Sequence, residues 1–254
     1  MHVVPLPALA DNYIWLLHDD AGQAIVVDPG DAAPVEAALA ARSLRLRAIL
    51  LTHHHGDHIA GAAVLRDRHG AAVYAPRDER IGVADHRVSE GDVVALEHPQ
   101  ARFDVLEVPG HTRSHIAYAG EGSLFCGDTL FSLGCGRMFE GTPAQMLASL
   151  ERLAALPGEL QVCCGHEYTQ ANGRFARQVD PDNAALAIRC AEAAEALAHA
   201  RPTLPVALAS ELACNPFLRI DSEPLIDWSR RQHAAGGRVE RFAALRAAKD
   251  VFQG

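Results

Sequence analysis

The sequence predicts an α/β domain with helices packed outside sheet layers, followed by a small helical domain. Short β-rich runs alternate with helical ones over the first two thirds of the chain, the alternation expected of sheets covered by helices. After about Glu167 the texture changes to Ala-rich helical spacing without β-branched runs. Length agrees: 254 residues is long for one simple domain and short for two large ones, so one core with a smaller appended part is expected.

In order along the chain, residues 24–28 (AIVVD) form an apolar run stopped by Pro29-Gly30, which reads as a buried strand. Residues 33–42 read as a helix, 47–52 (RAILLT) as the next strand, and 59–68 as a helix closed by Gly70. Short strands are expected at 72–74, 103–108, 116–118 and 123–126. Thr142-Pro143 places an N-cap residue before a proline at the first helical position, so a helix opens there and runs to about Leu156. Residues 160–164 are the last clear strand. In the tail, 184–200 and 240–252 have helical spacing, and 201–216 is punctuated by proline. The expected domains are 1–166 and 167–254.

Composition excludes several classes. The apolar fraction of 49 % is ordinary for a soluble protein, and no long uncharged apolar stretch occurs. Residues 1–10 lack a basic segment ahead of an apolar run, so neither a signal peptide nor a membrane span is expected. The net charge of −9 argues against a general nucleic-acid binder but leaves room for a local basic pocket. Six cysteines without CxxC spacing suit a reduced, cytoplasmic protein better than a disulfide framework.

The chemistry sits in the histidines. Thr52-His53-His54-His55-Gly56-Asp57-His58 follows a strand and precedes a helix. His53 and His55 are two apart, so extended backbone directs both rings to one side. Asp57 and His58 stand where the chain turns into the helix and can face a second point nearby. Imidazole and carboxylate suit zinc, iron or manganese, and no thiolate set suggests a structural zinc site. Three later strands each end in glycine and a candidate ligand: Gly110-His111, Gly127-Asp128 and Gly165-His166. The glycines are expected to allow close backbone approach to an ion. Taken singly, each ligand reads equally as a turn residue; in this order after HxHxDH they form one pattern.

That pattern, HxHxDH…H…D…H, resembles the metallo-β-lactamase superfamily in full. The resemblance implies an αβ/βα sandwich with metals at the strand ends. It implies one site from His53, His55 and His111, another from Asp57, His58 and His166, and Asp128 as the bridge. His54, His115 and the remaining histidines match no ligand position and are expected to be structural or surface residues.

Over nearly its whole length the chain is also similar to the hydroxyacylglutathione hydrolase (glyoxalase II) family. The matching stretches are 7–15 (PALADNYIW), 127–131 (GDTLF), 134–142 (GCGRMFEGT), 164–168 (CGHEY) and 215–219 (NPFLR), with Leu245-Arg246 and Ala248-Lys249-Asp250 in the closing helix. The family implies hydrolysis of S-D-lactoylglutathione and related 2-hydroxyacylglutathiones, the second step of methylglyoxal detoxification. It implies two divalent ions, zinc first, with iron or manganese also fitting. Residues 1–166 would then be the metal-binding catalytic domain and 167–254 the helical substrate-binding domain. Arg137, Arg246 and Lys249 would hold the substrate's carboxylates, with Tyr168 and Phe139 lining the same groove. Asp128 would hold the metal spacing and Asp57 orient the nucleophile; metal binding lowers the pKa of water to roughly 7, so no serine or cysteine nucleophile is needed. Departures are Phe139 where certain members carry tyrosine, Gly56 in the variable slot, and Ser114 where a glycine is common. A monomer without nucleic-acid or membrane partners is expected. The rival readings are a lactonase or a glutathione-persulfide dioxygenase on the same fold and, outside enzymes, a metal-binding module.

Overall fold

The computed structural model of the protein describes residues 1–234 and 236–252. They divide into two compact units. The first comprises Met1–Glu107, Ser114–Gly127 and Cys163–His166; the second comprises Val108–Arg113, Asp128–Val162 and the residues from Glu167 onward. These units follow packing, whereas the expected boundary at 166/167 follows the change in sequence texture.

The first unit opens with strands β1 (His2–Ala8), β2 (Asn12–His18) and β3 (Gln23–Val27), paired antiparallel in succession. Helix α1 (Ala32–Arg42) leads to β4 (Arg45–Leu50), and helices α2 (Gly56–Ile59) and α3 (Ala62–His69) lead to β5 (Ala72–Pro76) and β6 (His86–Val88). From β3 to β6 the pairing is parallel. The parallel strands are buried almost continuously, Ile25 to Val27 and Ala48 to Leu51 having at most 1 % exposure, as expected of strands covered on both faces. A second, antiparallel sheet follows in β7 (Val93–Glu97), β8 (Gln100–Glu107), β9 (Ile116–Gly120) and β10 (Ser123–Gly127). In β8, buried Ala101, Phe103 and Val105 alternate with exposed neighbours, the signature of a half-covered sheet. Tyr118 donates its hydroxyl to the Leu51 carbonyl at 3.1 Å, and Trp15 meets Phe125 at 6.5 Å between ring centres. Those contacts tie the two sheets together.

Several local results differ from the sequence reading, two of them near the N-terminal sheet. The helix expected over 59–68 is broken, because the Gly61 amide donates to the Pro29 carbonyl at 2.9 Å and α3 starts afresh behind it. The β1–β2 hairpin was not expected at all: Pro5 and Pro7 are strand breakers in general, yet β1 is an edge strand, where proline costs no ladder bond.

The second unit contains the short pair β11 (Leu130–Phe131) and β12 (Gly134–Cys135), then α4 (Pro143–Ala154). Thr142 caps α4 as expected, and the structure adds that it does so in a reciprocal box with Gln145. Strand β13 (Gln161–Cys164) follows; its start pairs with β14 (Val206–Ala207), and its end belongs to the first unit, beside β10. The tail supplies α5 (Thr169–Val179), α6 (Ala184–Ala198), α7 (Leu208–Cys214), α8 (Glu223–Arg231) and α9 (Arg238–Asp250). The α/β class with a helical C-terminal region is therefore present. At the heart of the second unit Glu211, fully buried, accepts hydrogen bonds from Ser132 Oγ (2.7 Å), the Leu133 amide (2.8 Å) and Asn215 Nδ2 (3.0 Å). Burial pushes its carboxyl pKa up, opposed by these donors and by Arg189.

Candidate metal centre

In the first unit the predicted ligands stand just past the end of β4. Asp28 at the end of β3 organises them. Its Oδ1 accepts the Thr52 amide at 2.8 Å; its Oδ2 accepts the Thr52 hydroxyl at 2.6 Å and His58 Nδ1–H at 3.0 Å. Asp28 itself lies at φ 51°, a left-handed conformation that aspartate tolerates better than most residues. The Thr52 oxygen, having given its proton to Asp28, accepts from His53 Nδ1 at 3.0 Å. On the other side His166 Nδ1 donates to Asp11 Oδ1 at 2.7 Å. A neutral imidazole that donates from Nδ1 carries a lone pair on Nε2, so His53, His58 and His166 all present Nε2 as acceptors.

Those acceptors face one another. His58 Nε2 and His166 Nε2 are 3.3 Å apart, and Asp57 Oδ2 is 3.4 Å from each. In these tautomers two lone pairs and a carboxylate converge on one point, an arrangement that a cation completes. Asp57, His58 and His166 accordingly form a group whose donor atoms lie within 4.8 Å of one another. His53 Nε2 lies 3.1 Å from His55 Nδ1, which brings a second pair of imidazoles together. The donor set thus fits divalent metal. Gly30 lets the Asp57 turn approach, since a Cβ there would overlap the Asp57 carbonyl.

In the second unit His111 Nδ1 donates to the Arg137 carbonyl at 2.7 Å, and its Nε2 faces Asp128 Oδ2 at 3.3 Å. The logic repeats: the backbone fixes the tautomer and turns a lone pair towards a carboxylate. Gly127, ahead of Asp128, needs its glycine for another reason than approach to an ion. It lies at φ 46°, and a Cβ would run into the Thr52 hydroxyl and stand 2.8 Å from the His115 ring. His115 stacks on His53 at 4.6 Å and is fully buried, and His54 lies 3.6 Å from Asp78; both have structural surroundings. Cys126, Cys163 and Cys164 are buried, and burial pushes the Cys163 thiol well up, so none is a poised nucleophile.

The candidate substrate residues also gather in the second unit. Asp250 Oδ1 lies 3.1 Å from Arg246 Nη2 and 3.7 Å from Arg137 Nε, so the two distant segments meet at one carboxylate. Lys249 places its ammonium 5.8 Å from the Phe175 ring centre and 5.5 Å from that of Phe252. Tyr168 packs edge-on against Phe131, and Phe139, 62 % exposed, stands edge-on to His111. Arg246 is not a solvated cation: it is 6 % exposed, and its Nη1 donates to the Cys135 carbonyl at 2.7 Å.

Asp11, Asn12, Asp28 and Thr52 were missed from the sequence as part of the site. Asn12, which donates to Asp57 Oδ2 at 2.9 Å, and Asp11 lie in the 7–15 stretch that carries the family resemblance, the one signal that marked them.

Sheets with helices, metal-ready clusters past the strand ends and a helical tail define the class. A family model described as "Metallo-beta-lactamase superfamily" matches residues 10–166, and one described as "Hydroxyacylglutathione hydrolase C-terminus" matches 167–252. Proteins named hydroxyacylglutathione hydrolase from Xanthomonas axonopodis pv. citri (strain 306) and Stenotrophomonas maltophilia (strain R551-3) are 55 % and 58 % identical, each match covering 100 % of both chains. Within that superfamily the chain belongs to the hydroxyacylglutathione hydrolase family. Among solved structures it is similar to ETHE1 from Myxococcus xanthus, with 27 % identity, TM-score 0.66 and coverage of 98 % of this chain and 97 % of that one. The BLEG-1 B3 metallo-beta-lactamase shares the fold, at 24 % identity, TM-score 0.67, and coverage of 86 % and 100 %.

Proposed function

We propose that the protein is a binuclear metal-dependent thioesterase that cleaves S-D-lactoylglutathione and related 2-hydroxyacylglutathiones to the hydroxy acid and glutathione. The observation that carries the metal part is the set of imidazole lone pairs turned on one another and on carboxylates, each fixed by a partner on Nδ1. The relatives' names and the helical tail supply the substrate class.

In this reading His53, His55 and His111 hold one ion, Asp57, His58 and His166 the other, and Asp128 bridges them. Zinc is the first choice, with iron or manganese compatible; TTHA1623, 30 % identical over 66 % of this chain, is described in a di-iron-bound form. When bound, the ions supply a water-derived nucleophile at neutral pH and an electrophile for the thioester carbonyl. The chain's own residues do the rest. Asp57 aims one carboxylate oxygen at the second-ion position while the Asn12 amide fixes its rotation. Arg137, Arg246 and Lys249 attract the carboxylates of the glutathione moiety, and Tyr168 and the exposed Phe139 ring flank it. Phenylalanine at 139 gives an apolar face and no hydrogen bond. Residues 1–166 then include all seven ligands together with Arg137 and Phe139, and 167–254 form the helical substrate-binding part. No helix among the described residues is long and apolar enough to cross a membrane; we place the enzyme in the cytoplasm as a monomer.

The test pairs metal analysis with substrate choice. Protein purified without chelator should hold two ions per chain and release thiol from S-D-lactoylglutathione in preference to a lactone or a β-lactam, without consuming oxygen. Full activity with one ion or none would sink the binuclear reading, and oxygen uptake with a glutathione persulfide while the thioester stays intact would replace the reaction.

A further inference from the structure

The hairpin of β1 and β2 brings two polar side chains to the ligand cluster, Asp11 from its turn and Asn12 from the first position of β2. The ladder closes at Ala8 opposite Asn12, leaving Leu9-Ala10-Asp11 as a three-residue turn. Leu9 lies at φ 52° and is 57 % exposed. A leucine in the left-handed region is uncommon, and such strain persists where surrounding contacts determine it. Here those contacts run to the ligand cluster. Asp11 Oδ1 accepts His166 Nδ1–H at 2.7 Å; Asn12 Nδ2 donates to Asp57 Oδ2 at 2.9 Å and reaches the Asp57 carbonyl at 3.3 Å. The backbone is pinned as well, by a bridge between Asn12 and His166 and by the Tyr13 amide donating to the Gly165 carbonyl at 2.8 Å.

Both contacts fall on ligands of one ion. Asp57 and His166 belong to the same three-residue group with His58, whose own Nδ1 is held by Asp28. The partners that fix His53 and His111 are other groups, Thr52 and the Arg137 carbonyl. We infer that Asp11 and Asn12 are positioning residues for the Asp57–His58–His166 ion alone, so that this one hairpin sets the relative affinity of the two metal positions. Asp11 keeps the His166 proton on Nδ1 and its ring in place; Asn12 holds the Asp57 carboxylate so that Oδ2 faces the two Nε2 atoms.

The inference rests on the metal centre proposed above, and the experiment separates the two. Zinc is titrated into metal-stripped protein against a chelator of known affinity, with elemental analysis of the loaded form, for the parent, Asp11→Ala, Asn12→Ala and Asp11→Asn. The parent should load two ions. In both alanine variants one ion should bind as in the parent and the other about 10–100-fold more weakly, the usual effect of removing an outer partner of a ligand. Asp11→Asn keeps an oxygen acceptor for His166 and should recover most of the lost affinity. The unfolding midpoint of each metal-free variant should match that of the metal-free parent, which a merely structural turn would not allow. Parent-like affinity for both ions in the alanine variants, or equal weakening of both, overturns the inference while leaving the metal centre standing. A parent that loads no zinc overturns the metal centre itself.

Discussion

At the scale of single residues, Lys249 gives the proposed groove a pH dependence of known sign. It is half-buried, and desolvation, then the nearby cations Arg246 and Arg174, lower its pKa below the ordinary 10.5. A cation whose folded pKa is depressed loses its proton earlier in the native state than in the unfolded chain. Its attraction for an anionic ligand is present below the folded pKa and lost as pH rises through it; the burial cost it imposes on the fold is relieved over the same range. Binding of S-alkylglutathione should therefore weaken as pH rises, and do so below the 10.5 of an ordinary lysine, and Lys249→Arg, which keeps its charge, should flatten that fall. A dissociation constant independent of pH in the parent would remove Lys249 from the groove. Residue by residue, the ligands were legible because HxHxDH packs four of them into six positions. Their partners were not: Asp28 reaches His58 across 30 residues and Asp11 reaches His166 across 155, and no local spacing announces such pairs. The buried Glu211–Arg189 network was hidden for the same reason, since each residue alone reads as a solvated helix charge.

Among the elements, α9 does more than present a basic pair. Arg246 donates to the Cys135 carbonyl at the end of β12, and its guanidinium lies 5.4 Å from the Phe217 ring centre. Arg246→Ala leaves a buried carbonyl without its donor, a loss of about 1–3 kcal/mol. The variant should unfold at lower urea concentration and also show a raised KM for the glutathione thioester. Lys249→Ala should raise KM with a smaller loss of stability, because its ammonium rests beside the Phe175 and Phe252 rings. Equal urea midpoints for Arg246→Ala and the parent would show that the Cys135 contact contributes nothing. A third element is calibrated by its cap: Thr142→Ala breaks the reciprocal box of α4 and should cost about 0.5–2 kcal/mol, with KM unchanged. That cap, the strands β3 to β5 and the tail helices α6 and α9 could be read from local pattern, whereas β6, α5, α7 and α8 were not. The β1–β2 hairpin could not, because proline in an edge strand and proline as a strand breaker look alike until the sheet order is known.

For the molecule as a whole, the metal and the stability should be one measurement. The chain carries a net charge of −9, and within it His58 Nε2, His166 Nε2 and Asp57 Oδ2 stand within 3.4 Å of one another, as His111 Nε2 and Asp128 Oδ2 stand at 3.3 Å. Without a cation these acceptors repel; in the unfolded chain they separate into water. A ligand that binds the native state alone stabilises it by RT ln(1 + [L]/Kd), about 2.7 kcal/mol at a free concentration of 100 Kd. The unfolding midpoint of the metal-stripped protein should therefore lie below that of the loaded protein and climb with the logarithm of free zinc, each tenfold rise adding about 1.4 kcal/mol per ion held. His166→Ala removes one imidazole from the second-ion group and should reduce that slope towards the value for a single ion. Calcium, which prefers oxygen ligands in larger number, should give a much shallower slope at equal concentration. A midpoint indifferent to zinc across the titration would mean that the converging acceptors are satisfied without metal, and the hydrolytic centre would then need another source for its nucleophile.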